Sequence, residues 1–294
     1  MKSLVITAFL FLTLSVGAKA QKDVKTFLRP YLPGENISSN PHFTGEEWFA
    51  PLSDEQYREA TIGSESRHAE ADKALTVREQ AIVAVASYTG NGDLEHLKPA
   101  LIEALETGMT INEINEVLIH AYAYCGFPRS LRAIQTFMQV VDERKAKGIN
   151  DPVGREAATV ADDRSRYERG RDVLAEISGV PADAPKTGYA VFAPTIERFL
   201  KEHLFADLFE RDLLTYRERE LATVSVLAGV GGVEPMASGH MAICLHLGIT
   251  AEQLSALLRI WWRRISAKAI RNRCEECKST DRKENEFGNE LTTE

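Results

Sequence analysis

The sequence is poor in cysteine, in aromatic residues and in positive charge, and each shortage excludes a class of protein. Four cysteines among 294 residues cannot staple a disulfide framework, so buried apolar surface has to hold the fold. Lys and Arg number 35 against 43 Asp and Glu. The resulting net charge of −8 argues against a general binder of nucleic acid or of an anionic membrane. Beyond the first twenty positions no stretch stays uncharged for the ~20 residues that a bilayer-spanning helix needs. No segment alternates apolar and polar residues with period two, so nothing reads as a half-buried strand. What the chain does have is 44% hydrophobic residues, enough for a sizeable core, and a length that suggests roughly two domains of about 150 residues.

Residues 1–20 read as a secretory signal. Lys2 is the basic start, Leu4 to Val16 the apolar stretch, and Ala18-Lys19-Ala20 a small-x-small cleavage site, which makes Gln21 the mature N-terminus. Cleavage removes two of the 35 basic residues and none of the 43 acids, leaving a net charge of −10. An exported protein, periplasmic or extracellular, is expected. Residues 21–71 carry Pro30, Pro33, Pro41 and Pro51, which interrupt any helical period, and read as an irregular arm lying on the main body. From Thr76 onwards the period is helical, as in Ile114, Val117, Leu118, Ala121 and Cys125. Gly148 and Asn150-Asp151-Pro152 read as a helix stop followed by a new N-cap and first turn. A second break runs from Gly179 to Gly188.

An internal repeat organises the rest. Leu75-Thr76-Val77-Arg78-Glu79 recurs 139 positions later as Leu214-Thr215-Tyr216-Arg217-Glu218. Gly108-Met109-Thr110, followed by Ile114 and Leu118, recurs as Gly248-Ile249-Thr250, followed by Leu254 and Leu258. Each unit reads as a helix, a turn, a second helix ending at a glycine, and a third helix capped by Thr110 or Thr250. One unit has too little interior to stand alone, whereas two can bury their apolar faces against each other. The division expected is a first repeat over 72–150, a connecting helix and linker over 151–188, a second repeat over 189–262, and a basic then charged tail over 263–294.

The repeat resembles the carboxymuconolactone decarboxylase family, the all-helical group that includes the alkylhydroperoxidase-D-like proteins. The resemblance covers about Leu75 to Val141 and Leu214 to Leu258. It implies an all-α protein of two tandem helical repeats packed together, oligomeric, with sites between helices or subunits. Redox members of the family carry Cys-x-x-Cys and then a histidine on the second helix. Those positions here are Asp93, His96 and Ala100 in one unit and Val233, Met236 and His240 in the other, so the thiol pair is missing from both. The decarboxylase-like pattern wants a histidine eight residues before the glycine, a glutamate eight after it, and a Tyr-x-Gly-x-Pro-like stretch closing the third helix. His240 comes from the second unit, while Glu116 and Tyr124-Cys125-Gly126-Phe127-Pro128 come from the first. Ala100 and Ala256 stand where the other copies would be, so a complete site has to draw on both units or on neighbouring subunits.

The candidate residues each have a bland reading beside the functional one. His240 shares an apolar stripe with Met236, Ile243, Cys244 and Leu247, and reads as a proton-transfer group or a satisfied core histidine. Glu116 and His120 lie one turn apart beside their helix's apolar stripe, able to share a proton or orient a substrate, or else forming an exposed i,i+4 pair. Arg78 and Arg217 suit a clamp for a substrate carboxylate, and equally a structural ion pair in a first helical turn. Cys125 reads as a buried inert thiol on an unbroken helix, and as reactive only where the helix ends near Gly126. Cys244 follows His240 by one turn, and packing is its simpler role. Cys274-Glu275-Glu276-Cys277 in the tail reads as a local disulfide, as idle thiols, or more weakly as a redox motif or half a zinc site.

Residues 259–273 hold six basic residues with Trp261 and Trp262, and suit a membrane surface, a partner, or a tail of altered sequence with no selected role. The reading that results is an exported decarboxylase-like lyase acting on a small carboxylated lactone or related acid. In it His240 transfers the proton, Glu116 and His120 assist, and Arg78 or Arg217 holds the carboxylate. No metal, organic cofactor or nucleic-acid partner is implied, and a homo-oligomer is expected. The rivals are a thiol-dependent peroxidase or disulfide reductase relying on Cys125, and a non-catalytic helical binding or scaffold protein.

Overall fold

The computed structural model describes residues 74–261. The signal segment, the arm over 21–71, Cys274, Cys277 and all but the start of the 259–273 segment lie outside the described residues. Among those described there is no strand, and no helix is long and apolar enough to cross a membrane.

The first unit is α1 (Val77–Asn91), α2 (Leu94–Glu106) and α3 (Ile111–Ala146). A connector follows, with α4 (Arg166–Ser178), the short α5 (Tyr189–Phe192) and α6 (Pro194–Phe199), and a π-helical run over Leu200–Leu208. The second unit is α7 (Tyr216–Val230), α8 (Glu234–His246) and α9, which occupies 251–261.

The N-termini are set by local chemistry that repeats with the sequence. Thr76, Thr110 and Thr215 each accept a hydrogen bond from the backbone N–H three residues on, while Glu79, Glu113 and Glu218 reach back to the cap. Thr250 does the same with Gln253. The third helix of the first unit breaks at Gly126, whose φ of 77° lies in the left-handed region, and resumes with Pro128 in its new first turn.

α1 and α7 form the axis of the molecule. They are buried almost continuously, from Ala81 to Gly90 and from Arg219 to Ala228, because each has neighbours on every side. They cross where a Cβ on Gly90 would meet Val226 O at 2.5 Å and a Cβ on Gly229 would meet Ser87 O at 2.6 Å, so both contacts require glycine. The two cores exchange residues across this axis. Leu214, Ala222 and Val226 pack into the core of the first unit, and Leu75 and Val83 into that of the second. Arg78 bonds Glu218 at 2.6 Å and Arg217 bonds Glu79 at 2.7 Å, the same exchange written in ion pairs. A smaller core of Val173, Ile177, Phe205, Phe209 and Ile243 ties the connector to the second unit.

One boundary differs from the sequence reading. Asn150-Asp151-Pro152 starts no helix, because Asp151 is taken by a two-point bond to Arg144, and Pro152 and Val153 give their carbonyls to the N–H groups of Ile111 and Asn112. These bonds hold 150–153 extended against the start of α3. The next helix begins instead at Ser165, which forms a capping box with Glu168.

Candidate functional site

α3, α7 and α8 converge on a buried polar cluster. α3 contributes Glu116, His120 and Tyr124, one turn apart on one face. α7 contributes Arg219, Glu220 and Thr223, and α8 contributes His240. The segment leaving the π-helical run adds Phe209 and Arg211. Glu116, His120, Arg219, Glu220 and Thr223 are all 0% exposed. Charged side chains are almost never buried this completely without partners, and each of the three here is paired with an opposite charge or an imidazole.

Glu116 is the hub of the ionic half. Its Oε1 accepts from Arg219 Nη2 at 2.7 Å, and both carboxylate oxygens accept from Arg211 Nε, at 3.0 and 2.9 Å. Arg219 also donates to the Arg211 carbonyl and lies over the Phe209 ring. Arg211 is the outer of the two guanidiniums on this carboxylate, with 36% of its side chain exposed and with Glu156 and Asp212 within electrostatic reach.

His120 is next in the chain of contacts. Thr223 donates its hydroxyl hydrogen to Arg219 O, so the 2.9 Å contact between His120 Nε2 and Thr223 Oγ1 has the imidazole as donor. Nδ1 then accepts from Arg219 Nη1 at 3.4 Å. Complete burial, the Arg219 charge and the neighbouring His240 hold the His120 pKa well below its usual value, consistent with a neutral ring whose two nitrogens are both engaged. No hydrogen bond joins Glu116 to His120. The expectation of an exposed i,i+4 pair beside the apolar stripe is corrected for both, since α7 covers the face that the stripe of a single helix leaves open.

His240 forms the second half of the site. Its Nδ1 lies 2.8 Å from Glu220 Oε2, and its side chain is 16% exposed. A buried carboxylate on Nδ1 fixes the ring orientation and leaves Nε2 as the nitrogen for chemistry, the general logic of an oriented histidine. Tyr124 stands between the two histidines, its ring 5.4 Å from that of His120 and 5.5 Å, edge-on, from that of His240.

The remaining candidates lie elsewhere. Arg78 is bonded to Glu218 of the other repeat and to Glu113 of its own, and Arg217 to Glu79 of the other repeat, so both are structural ion-pair partners. Cys125 does sit beside a helix break, at Gly126, yet burial pushes its thiol pKa up. Burial raises that of Cys244 still further, by the same cause. Neither thiol is in a disulfide, and the two belong to different units. No group of three or more His, Cys, Asp or Glu among the described residues is placed to hold a metal ion.

Two stretches, 61–137 and 194–262, match the family model described as the carboxymuconolactone decarboxylase family. The chain belongs to the carboxymuconolactone decarboxylase family. The second match begins before the sequence repeat and takes in α6 and the π-helical run, the elements that deliver Phe209 and Arg211. A comparison with curated proteins finds no match. Family membership and the all-helical tandem architecture agree with the sequence reading.

Sequence reasoning missed Glu220, Arg219, Thr223 and Arg211. A signal was available for three of them. At the repeat offset of 139, Arg219, Glu220 and Thr223 align with Gln80, Ala81 and Ala84. Two charges placed where the sister helix has glutamine and alanine, in a helix that must be buried, mark a position held for something other than packing.

Proposed function

We propose that this family member is an exported, cofactor-independent acid/base enzyme that decarboxylates a small carboxylated lactone or a related acid. The carrying observation is the Glu220–His240 pair at 2.8 Å, in which a fully buried carboxylate holds Nδ1 of a ring that is itself 16% exposed. Loss of CO₂ breaks the bond between the carboxylate carbon and the ring carbon. The electron pair moves into the lactone carbonyl and leaves a dienolate. His240 Nε2–H then protonates carbon as the carbonyl re-forms, Glu220 stabilises the imidazolium beforehand, and water returns the proton to the ring.

The cation assigned to attract the substrate carboxylate is Arg211, the partly exposed guanidinium at the edge of the site, rather than Arg78 or Arg217, which are held in ion pairs between the repeats. Export rests on residues 1–20, and a homo-oligomer is the expected assembly. The thiol-dependent reading has little to draw on among the described residues, because both thiols have pKa values raised by burial.

The test is the ultraviolet-monitored loss of carboxymuconolactone by mature protein beginning at Gln21, with His240→Ala and Glu220→Gln beside it. His240→Ala should lower kcat by about 10²-fold or more, the usual share of a positioned proton donor. Undiminished turnover in His240→Ala removes His240 from the reaction, and no turnover in wild-type protein removes the lyase reading.

A further inference from the structure

Three buried polar atoms in the site have no hydrogen-bond partner: Arg219 Nε, on a guanidinium already bonded through both terminal nitrogens, and two others that complement each other. The Tyr124 hydroxyl is a donor, and Glu220 Oε1 is an acceptor. The hydroxyl lies within electrostatic reach of Glu220, and its ring touches both histidines. Thr223 is its polar neighbour and acts on the phenol pKa as a hydrogen-bonding group, but the Thr223 hydrogen goes to Arg219 O, and the contact with Tyr124 falls outside hydrogen-bond geometry. Its other surroundings are the apolar cores of both units, against which the ring packs. For packing alone phenylalanine would serve better, since a buried unpaired hydroxyl destabilises a fold. Burial and the Glu220 charge hold the phenol protonated, so it donates.

We propose that Tyr124 is a further catalytic residue, whose hydroxyl donates a hydrogen bond to the enolate oxygen of a lactone bound against His240. This rests on the acid/base reading above and assigns a group to the one charge that reading leaves uncompensated. When the C–CO₂ bond breaks, the electron pair it releases resides on the former carbonyl oxygen. A donor already in place there, in a site of low dielectric with no competing partner, stabilises that charge without rearrangement. Glu220 Oε1 is the acceptor for a hydroxyl or water beside it. His240 then delivers the proton to carbon, the carbonyl re-forms, and the Tyr124 bond weakens as the charge leaves.

The experiment uses the mature protein, Tyr124→Phe, and tetronate, the ring enolate of a five-membered lactone, which is ionised at neutral pH and needs no turnover to bind. Calorimetry should give about tenfold weaker tetronate binding to Tyr124→Phe, with binding of the neutral γ-butyrolactone unchanged. The melting temperature of Tyr124→Phe should equal or exceed that of the wild type, which a hydroxyl with a structural partner would not allow. In turnover, kcat should fall at near-constant KM. Equal tetronate affinity in the two proteins, no tetronate binding to the wild type, or a lower melting temperature in Tyr124→Phe each overturns the proposal. Tyr124-dependent tetronate binding by a wild type that leaves carboxymuconolactone untouched upholds the oxyanion site and sinks the decarboxylation reading alone.

Discussion

Removing the Glu116 carboxylate tests the ionic half of the site as a structural unit. Glu116 is 1% exposed at its side chain and Arg219 is 0% exposed, and the two are joined at 2.7 Å. Glu116→Ala leaves Arg219 with a charge inside the protein, and its one remaining strong acceptor is the Arg211 carbonyl. An uncompensated buried charge of this kind costs about 3–5 kcal/mol. For a folded body of this size that is a fall in melting temperature of roughly 6–20 °C. Arg211→Ala should be far milder, at about 1 kcal/mol or less, because its arm is partly solvated and Glu116 keeps Arg219. The decisive variant is the pair Glu116→Leu with Arg219→Met. It removes both buried charges at once and should recover most of the stability lost by either change alone, with a coupling of at least about 2 kcal/mol. Urea unfolding followed by circular dichroism at pH 7.5 measures all four corners of the cycle. Additivity within about 0.5 kcal/mol would mean that the two groups do not depend on each other, and would refute the argument.

His120 predicts a pH dependence of known sign. Its unfolded pKa is near 6.5 and its folded pKa lies well below, because burial, Arg219 on α7 and His240 on α8 all oppose the charged ring. Below about pH 6.5 the unfolded chain therefore binds a proton that the folded chain refuses. The stability this group confers is present above 6.5 and declines as pH falls, by up to about 1.4 kcal/mol per pH unit. His120→Gln should flatten that slope in urea titrations between pH 7.5 and 5, and an unchanged slope would assign it to other groups. Glycine substitutions in two helices should have opposite signs. Gly90→Ala gains helix propensity of about 1 kcal/mol but drives a methyl into the Val226 backbone, and should destabilise by roughly 1–3 kcal/mol overall. Gly239→Ala meets nothing within 4 Å and should raise the melting temperature. A stabilised Gly90→Ala would mean that the axis helices do not approach as closely as the structure has them.

Most of the fold was legible because it rests on short-range rules. The caps at Thr76, Thr110, Thr215 and Thr250 follow from residues three apart, and the pairing of two units follows from the repeat itself. The Asn150-Asp151-Pro152 reading failed because the same residues that can start a helix can also serve a neighbour, and Arg144 is seven positions away, beyond what a capping rule considers. The site was legible by half. His240 and Glu116 stand out by residue type and position relative to the glycines. Their partners do not, since Glu220 lies 20 positions from His240 and Arg219 lies 103 from Glu116, and only the packing of α7 against α3 and α8 brings them together. Burial was misjudged for the same reason. A stripe drawn on one helix tells which face meets its own unit, and says nothing of a second unit arriving from the other side.

The asymmetry between the repeats now has a physical reading. Two like units packed about α1 and α7 create two like interfaces, one beneath α3 and one beneath α9. The first contains Glu116, Arg219, Glu220, Thr223 and His240. The matching positions of the second include Gln80, Ala81, Ala84, Ala100 and Ala256, and the four alanines are at most 3% exposed. Buried charge is costly wherever it is placed, so loading both interfaces would double the penalty for a fold whose net stability is of the order of 5–15 kcal/mol. Filling one interface with alanine lets the helices close and contribute apolar burial, while the other holds the charged cluster, with Arg211 and His240 reaching its partly open edge. Gly90 and Gly229 keep the axis symmetric so that this division can be made by side chains alone. A chain that placed Glu220 and His240 in both units would gain a second site only by giving up the packing that holds the first one rigid.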